Sequence, residues 1–255
     1  MKLLLSRSFG SVFRPAHAAL LACALIASHG AAAQGKRTAS PPPSADLNYT
    51  INANQHGLSL NGSADVHWTN KDGHYTIVTE TRAMLLGKIL EAKSEGTIDA
   101  NGLVPLTSTE KRYRKKATTT TFDRQANTIN FSASGNSQPI KGGEQDRNSI
   151  VWQLATMARS TPSKLKTGAS LAIVVAGQKD AETWHFKVGK SEKIKSPLGD
   201  LNAVKVSKVV KDGDKEQKID IWFAPSRNWY PVRIRFAEPE GDFIEQTIAS
   251  IAPQS

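Results

Sequence analysis

The chain has 255 residues, 39% of them hydrophobic, a formal charge of +10 and one cysteine, Cys23. A lone cysteine excludes a disulfide framework and any zinc site built from several thiolates. After the first thirty residues there is no apolar run long enough for a second membrane segment.

The N-terminus reads as an export signal over residues 1–33. Lys2, Arg7 and Arg14 start it, an apolar stretch runs from Ala18 to Ala27, and Ala31-Ala32-Ala33 forms a small-x-small cleavage site. The competing reading makes Leu20-Leu21-Ala22-Cys23 a lipobox, with Cys23 carrying a lipid. Either reading places the mature protein outside the cytoplasm, in the periplasm when Cys23 leaves with the signal. The anions there are lipid headgroups, lipopolysaccharide and wall polymers rather than nucleic acid, and a net positive protein meets them faster. Residues 34–45, QGKRTASPPPSA, have the composition of a flexible tether. A single domain over 46–255 follows.

Period-two alternation dominates that domain. Leu58, Leu60, Gly62, Ala64, Val66 and Trp68 alternate with polar residues, and Asp72-Gly73 turns the chain into a return strand carrying Tyr75, Ile77 and Thr79 on the same face. Further strands are expected over 46–53, 89–99, 105–116, 117–124, 127–134, 169–176, 182–189 and 200–210. In the C-terminal third, Ile219, Ile221 and Phe223 alternate inward against Val232, Ile234 and Phe236. Pairing Phe223 with Val232 sets Trp222 opposite Arg233 and Asp220 opposite Arg235. The turn at Glu238-Pro239-Glu240-Gly241 then brings Arg235 opposite Glu245. The result is one aliphatic inner face and one charged outer face.

One segment has helical period, about 146–158. Asp146 stands as N-cap, Ile150, Val151, Leu154, Met157 and Ala158 form one stripe, and Pro162 lies beyond the end. Trp152 falls on the opposite side and needs a second surface to cover it. The fold class is therefore mainly β: a curved antiparallel sheet or half-barrel with one helix packed against it.

Several segments together resemble a family of exported proteobacterial proteins known as domain of unknown function 3108. They are GLVP at 102–105, FDRQANTI at 122–129, GEQDRNSIVWQL at 143–154, SPLGDLNAVKV at 196–206, IWFAPSRNWYPVRI at 221–234 and EGDFIEQTI at 240–248. The resemblance implies a periplasmic β domain without an assigned activity. More distantly it implies a fold similar to the half-barrel of the Lol lipoprotein carriers, an analogy of fold and not of function.

Candidate chemistry is sparse. No GxSxG elbow, HExxH helix, Walker loop or dinucleotide fingerprint occurs, and no catalytic residue, metal site or cofactor is assigned. His67 and His74 share a face with Asp65 and Glu80, a set that favours two solvated histidines near a turn over a zinc site. Gly142-Gly143 offer backbone donors to an anion, but Glu144 and Asp146 beside them would repel one. The run Lys111 to Lys116 includes Arg112, Arg114 and Lys115, an anion-binding candidate if it is more than a solvated strand face.

The segment Met84 to Leu90 is apolar without alternation. It is either a buried edge or the rim of a cleft for an acyl chain. On the second reading Met84, Leu85, Leu86, Ile89, Trp152 and Met157 surround the mouth, and a basic rim holds an anionic headgroup. The leading functional expectation is accordingly a periplasmic, non-enzymatic binding or carrier protein for a hydrophobic or lipid-like ligand. An envelope structural or assembly protein that binds other proteins is the alternative, and a cell-wall glycan enzyme the third.

Overall fold

The first hairpin sets the pattern for the rest. In the computed structural model, which describes residues 38–254 apart from 212 and 214, Asp72 and Gly73 both have positive φ, the backbone of a two-residue hairpin turn. That turn joins β2 (Leu58–Lys71) to β3 (His74–Ala83) and sets Trp68 against Ile77 and Val66 against Thr79, as the alternation requires. The expected export signal and Cys23 lie outside the described residues.

Before β2 comes β1 (Ala45–Gln55), and after β3 come β4 (Gly87–Asp99), β5 (Gly102–Arg112), β6 (Thr118–Asp123), β7 (Thr128–Phe131) and β8 (Ser137–Pro139). These step outward in order from β1. The chain then crosses to the far end of the same sheet with β9 (Gln145–Asp146), forms helix α1 (Ser149–Ser160), and returns through β10 (Ser170–Ala176), β11 (Ala181–Ser196), β12 (Gly199–Lys208), β13 (Lys218–Ala224), β14 (Tyr230–Ala237) and β15 (Phe243–Pro253). Strand β15 pairs with β1, so fifteen strands make one sheet. Every neighbouring pair is antiparallel except β9 with β10.

The sheet curls until its two ends meet through side chains. The Thr120 hydroxyl donates to the Gly177 carbonyl (2.8 Å), and Gln138 Oε1 accepts the Ala181 amide (2.7 Å). Phe122, Ile129, Phe131 and Ile140 pack with Ala176 in an apolar cluster along that seam. Helix α1 fills the concave side, and both its faces are buried. Ile150, Leu154, Ala155 and Ala158 join Val175, Phe186, Val206, Ile221 and Phe223. Trp152 points the other way, to Leu47, Val66, Trp68, Tyr230 and Val232.

Two expectations are corrected here. The tether expected over 34–45 does not extend through residues 40–44. The Ser40 amide donates to Ser160 Oγ (2.8 Å), Pro42 carbonyl accepts the Trp68 indole (2.9 Å), and Pro43 carbonyl accepts the Tyr230 hydroxyl (2.7 Å). Proline removes a donor but leaves its carbonyl free, so a proline-rich segment can be held wherever buried donors await acceptors.

The charged outer face of β13–β15 is the second correction. Asp220 does face Arg235, Trp222 faces Arg233 and Arg235 faces Glu245, although an irregularity after Trp222 sets Pro231, not Val232, opposite Phe223. Asp220 and Trp222 are nonetheless buried. The β11–β12 hairpin breaks register between Val188 and Ser191, and its outer end lies across this face. Trp222 Nε1 donates to Glu192 (2.7 Å), and Arg233 donates to the Lys195 carbonyl (3.3 Å). Lys205, on the other side of β13, pairs with Asp220 (3.2 Å) and lies 4.8 Å over the Trp222 ring.

Candidate functional site

Three hairpin tips stand side by side at one end of the sheet: residues 56–57, 84–86 and 113–117. The middle tip is held by Met84 N donating to Asn61 O (3.0 Å) and Leu86 N to Ala83 O (3.2 Å), with Gly87 supplying a positive φ. Its side chains are not buried. Met84 is 76% exposed, Leu85 88% and Leu86 58%, and Leu58 on the adjacent strand is 66% exposed. Leu60 and Tyr113 are exposed beside them, and Ile89 is half-buried. The buried-edge reading of Met84 to Leu90 is thereby excluded for residues 84–86.

The same end is basic. Arg112 pairs with Glu110, and Lys88 and Arg82 with Glu80. Lys111, Arg114, Lys115 and Lys116 are exposed and form no ion pair among the described residues. The Arg114 guanidinium lies 5.0 Å over the Tyr113 ring, and the Tyr113 amide donates to Ile89 O (2.8 Å). The expected anion-binding residues Arg112, Arg114 and Lys115 are thus brought beside Met84, Leu85, Leu86 and Ile89.

Trp152 and Met157 are not. Trp152 is 3% exposed and stacks on Trp68 with ring centroids 4.3 Å apart. Tyr230 meets it edge-on at 6.2 Å. Asn61, which holds Met84, lies seven residues along β2 from Trp68, and a strand rises about 3.3 Å per residue, or about 23 Å in all. Met157 is half-buried in the opposite apolar cluster. The six residues expected around one mouth therefore do not share it, because α1 and its tryptophan occupy the concavity themselves.

The histidines also part. His67 Nδ1 lies 2.7 Å from Asp46 across β1–β2, which holds that carboxyl below the ordinary range, whereas His74 sits at the β2–β3 turn opposite Lys71. Among the described residues no three His, Cys, Asp or Glu gather to hold a metal.

A cavity of about 450 Å³ with a mixed polar and apolar lining opens at the other end of the sheet. It is lined by Asp99, Asn101, Leu103 and Val104 from the β4–β5 hairpin, Arg124 from the β6–β7 turn, Gly142, Gly143 and Glu144 before β9, and Gln153 of α1. Gln153 fixes its floor, accepting from Leu103 N (2.8 Å) and donating to Asn101 O (3.0 Å). Gly102 must be glycine there, since its φ is +126° and a Cβ would stand 2.1 Å from Gln153 Oε1.

The model of a protein family described as of unknown function, DUF3108, matches residues 48–248. The chain belongs to the DUF3108 family. No curated protein matches the sequence. The DUF3108 fold is similar to that of a beta-barrel-like DUF1849 protein from Brucella abortus, with TM-score 0.58 and 10% identity, over 85% of this chain and all of that one. Distant similarity extends to a LolA superfamily protein from Nitrosomonas europaea (TM-score 0.22, 10% identity, 86% and 90% of the two chains). It extends also to a DUF1329 protein from Desulfovibrio piger (TM-score 0.30, 7% identity, 84% and 86%). These likenesses concern fold alone.

The helix start of this DUF3108 chain holds a buried acid with a measurable signature. Asp146 Oδ1 accepts the amides of Asn148 (2.8 Å) and Ser149 (3.0 Å), and Oδ2 accepts from Ser94 (2.6 Å), whose hydroxyl also meets Tyr75. Burial dominates and raises its pKa above the ordinary 3.8. The folded state therefore binds a proton that the unfolded state has released, so stability is full below the ordinary value and falls as pH rises through the folded one. Asp146→Asn keeps the accepting oxygen and can donate to Ser94. Urea melts across that range should show the stability of the parent falling relative to that of the variant as pH rises, over the background of Asp46, Glu80 and Glu216, whose lowered pKa values act the other way. Equal slopes would mean that Asp146 is ionised in the fold.

Proposed function

We propose that this protein is a non-enzymatic binding protein of the bacterial envelope that takes up lipid-like molecules at its hairpin tips. The exposure of Met84, Leu85, Leu86 and Leu58 in one patch supports this reading, because soluble domains seldom leave adjacent large aliphatics uncovered. Unpaired Arg114, Lys115 and Lys116 beside the patch suit an anionic headgroup. Each buried methylene contributes about 0.8 kcal/mol, so an acyl chain laid on four such side chains gains several kcal/mol. The N-terminal export pattern supports the compartment. No helix among the described residues is long and apolar enough to cross a membrane.

Leu85→Asp tests this directly. At 88% exposure Leu85 has almost no core contact to lose, so the melting curve should not move. A fluorescent long-chain fatty acid should bind the parent and bind the variant at least about tenfold more weakly, a change worth about 1.4 kcal/mol. A parent that binds no acyl probe after delipidation contradicts the proposal and leaves the protein-binding scaffold. Unchanged binding by Leu85→Asp contradicts the location.

A further inference from the structure

The mixed polar and apolar cavity lies remote from the tips. Asp99, on its rim, is twelve residues along β4 from Gly87 at the tip, about 40 Å at the rise of a strand. Two buried polar atoms of its wall residues have no hydrogen-bond partner among the described residues. Glu144 is 1% exposed; its Oε1 accepts the amides of Lys141 and Gly142, but Oε2 has no hydrogen bond and lies 3.7 Å from Arg124 Nη1. Arg124 donates through Nη2 to Pro105 O (3.0 Å), but its Nε is equally unpartnered. A buried group left so costs about 1–3 kcal/mol, and native proteins rarely leave one without a purpose.

The unpartnered pair specifies its complement. Glu144 Oε2 needs a donor and Arg124 Nε an acceptor. A hydroxyl supplies both from one atom. An anion fits poorly, since Glu144 has already taken the Lys141 and Gly142 amides that would bind it, and Asp99 and Glu144 outnumber the single guanidinium. An ammonium satisfies the carboxylate but not Arg124 Nε, whose charge repels it. An acyl chain would bring no polar partner to Glu144 Oε2 or Arg124 Nε.

Leu103 and Val104 provide an apolar strip among these polar groups, a surface for the C–H side of a polyol ring. The volume of about 450 Å³ lies within the range of small-molecule sites, about 300–1,000 Å³, and far exceeds the ~30 Å³ of one water. Neither orphan atom is open to the cavity, so a hydroxyl reaches them only if the partly exposed Arg124 side chain swings away from its 3.7 Å ion pair with Glu144.

We propose that this cavity binds a neutral polyhydroxylated molecule of about one sugar unit, through Glu144 and Arg124, with Asn101 at its mouth. The test is an amide chemical-shift titration of the full chain with N-acetylglucosamine, and separately with inorganic phosphate and putrescine. Saturable shifts confined to Asn101, Gly102, Gly142 and Gly143 with the sugar are expected, and none there with the other two. Glu144→Gln should weaken sugar binding at least about tenfold. Asn101→Trp, at an exposed turn and so without cost to the fold, should abolish it. No sugar shifts, shifts elsewhere, a preference for phosphate or putrescine, or an Asn101→Trp protein that binds as the parent does would each overturn the proposal. Absence of sugar shifts would mean that water alone serves the pair. None of these results depends on acyl binding at the tips.

Discussion

Trp152→Ala should destabilise the fold by about 3–5 kcal/mol, the range for deleting a large buried aromatic. The indole is buried between Trp68 and Tyr230, and its stacking on Trp68 at 4.3 Å adds to the area it covers. The neighbours cannot collapse into the gap. Trp68 is tied by its Nε1 to Pro42 O, and Tyr230 by its hydroxyl to Pro43 O. A domain with about 5–15 kcal/mol of stability loses a large share of it. Chemical denaturation of Trp152→Ala beside Met157→Ala, on the half-buried side of the same helix, measures the contrast. Equal midpoints for the two variants would show that α1 is not clamped by its tryptophan.

Gly96→Ala should cost about 3 kcal/mol, the upper end for overpacking. Gly96 sits where β4 and β5 slip register, and a Cβ there would stand 2.1 Å from Val104 O and 2.9 Å from both Pro105 Cα and Tyr75 Cε1. Two of those three atoms are backbone, so no rotamer change relieves the contact. Val104 also lines the cavity, which makes this glycine part of what shapes it. Gly135→Ala is the control: φ is +72° but nothing lies within 4 Å of a Cβ, so only backbone strain of about 1 kcal/mol applies. The thermal midpoint of Gly96→Ala should fall well below that of Gly135→Ala.

Local chemistry was legible in the sequence, and coverage was not. Asp72-Gly73 and Pro239 to Gly241 are turns whose backbone is dictated by the residues themselves, so the β2–β3 and β14–β15 registers follow from alternation plus turn length. Trp222 and Asp220 alternate with aliphatics and therefore read as an exposed row. Nothing near them in sequence announces that a hairpin ending at Lys195 and Ser196 lies across that face. Trp152 was identifiable as a side chain off the helical stripe, but its cover, Trp68, is eighty-four residues away on a strand of the other half-sheet. The run Met84 to Leu90 has the composition of a core and the position of a tip, and only the register of β3 with β4 separates the two. The cavity draws on four separate segments, and its decisive feature, a buried carboxylate oxygen without a hydrogen bond, is a matter of geometry that composition cannot express.

On the proposed function, lipid-like ligands meet the hairpin tips and not the helix-filled concavity. The most direct test places an environment-sensitive fluorophore at one cysteine in a Cys23→Ser background, which has no other thiol. One protein carries it at Met84→Cys, the other at Asn101→Cys at the far end of the sheet. Adding a long-chain fatty acid should shift the emission of the Met84 probe to the blue, as apolar surface replaces water around it, and leave the Asn101 probe unchanged. A shift at residue 101 alone, or binding with no shift at residue 84, would contradict the account.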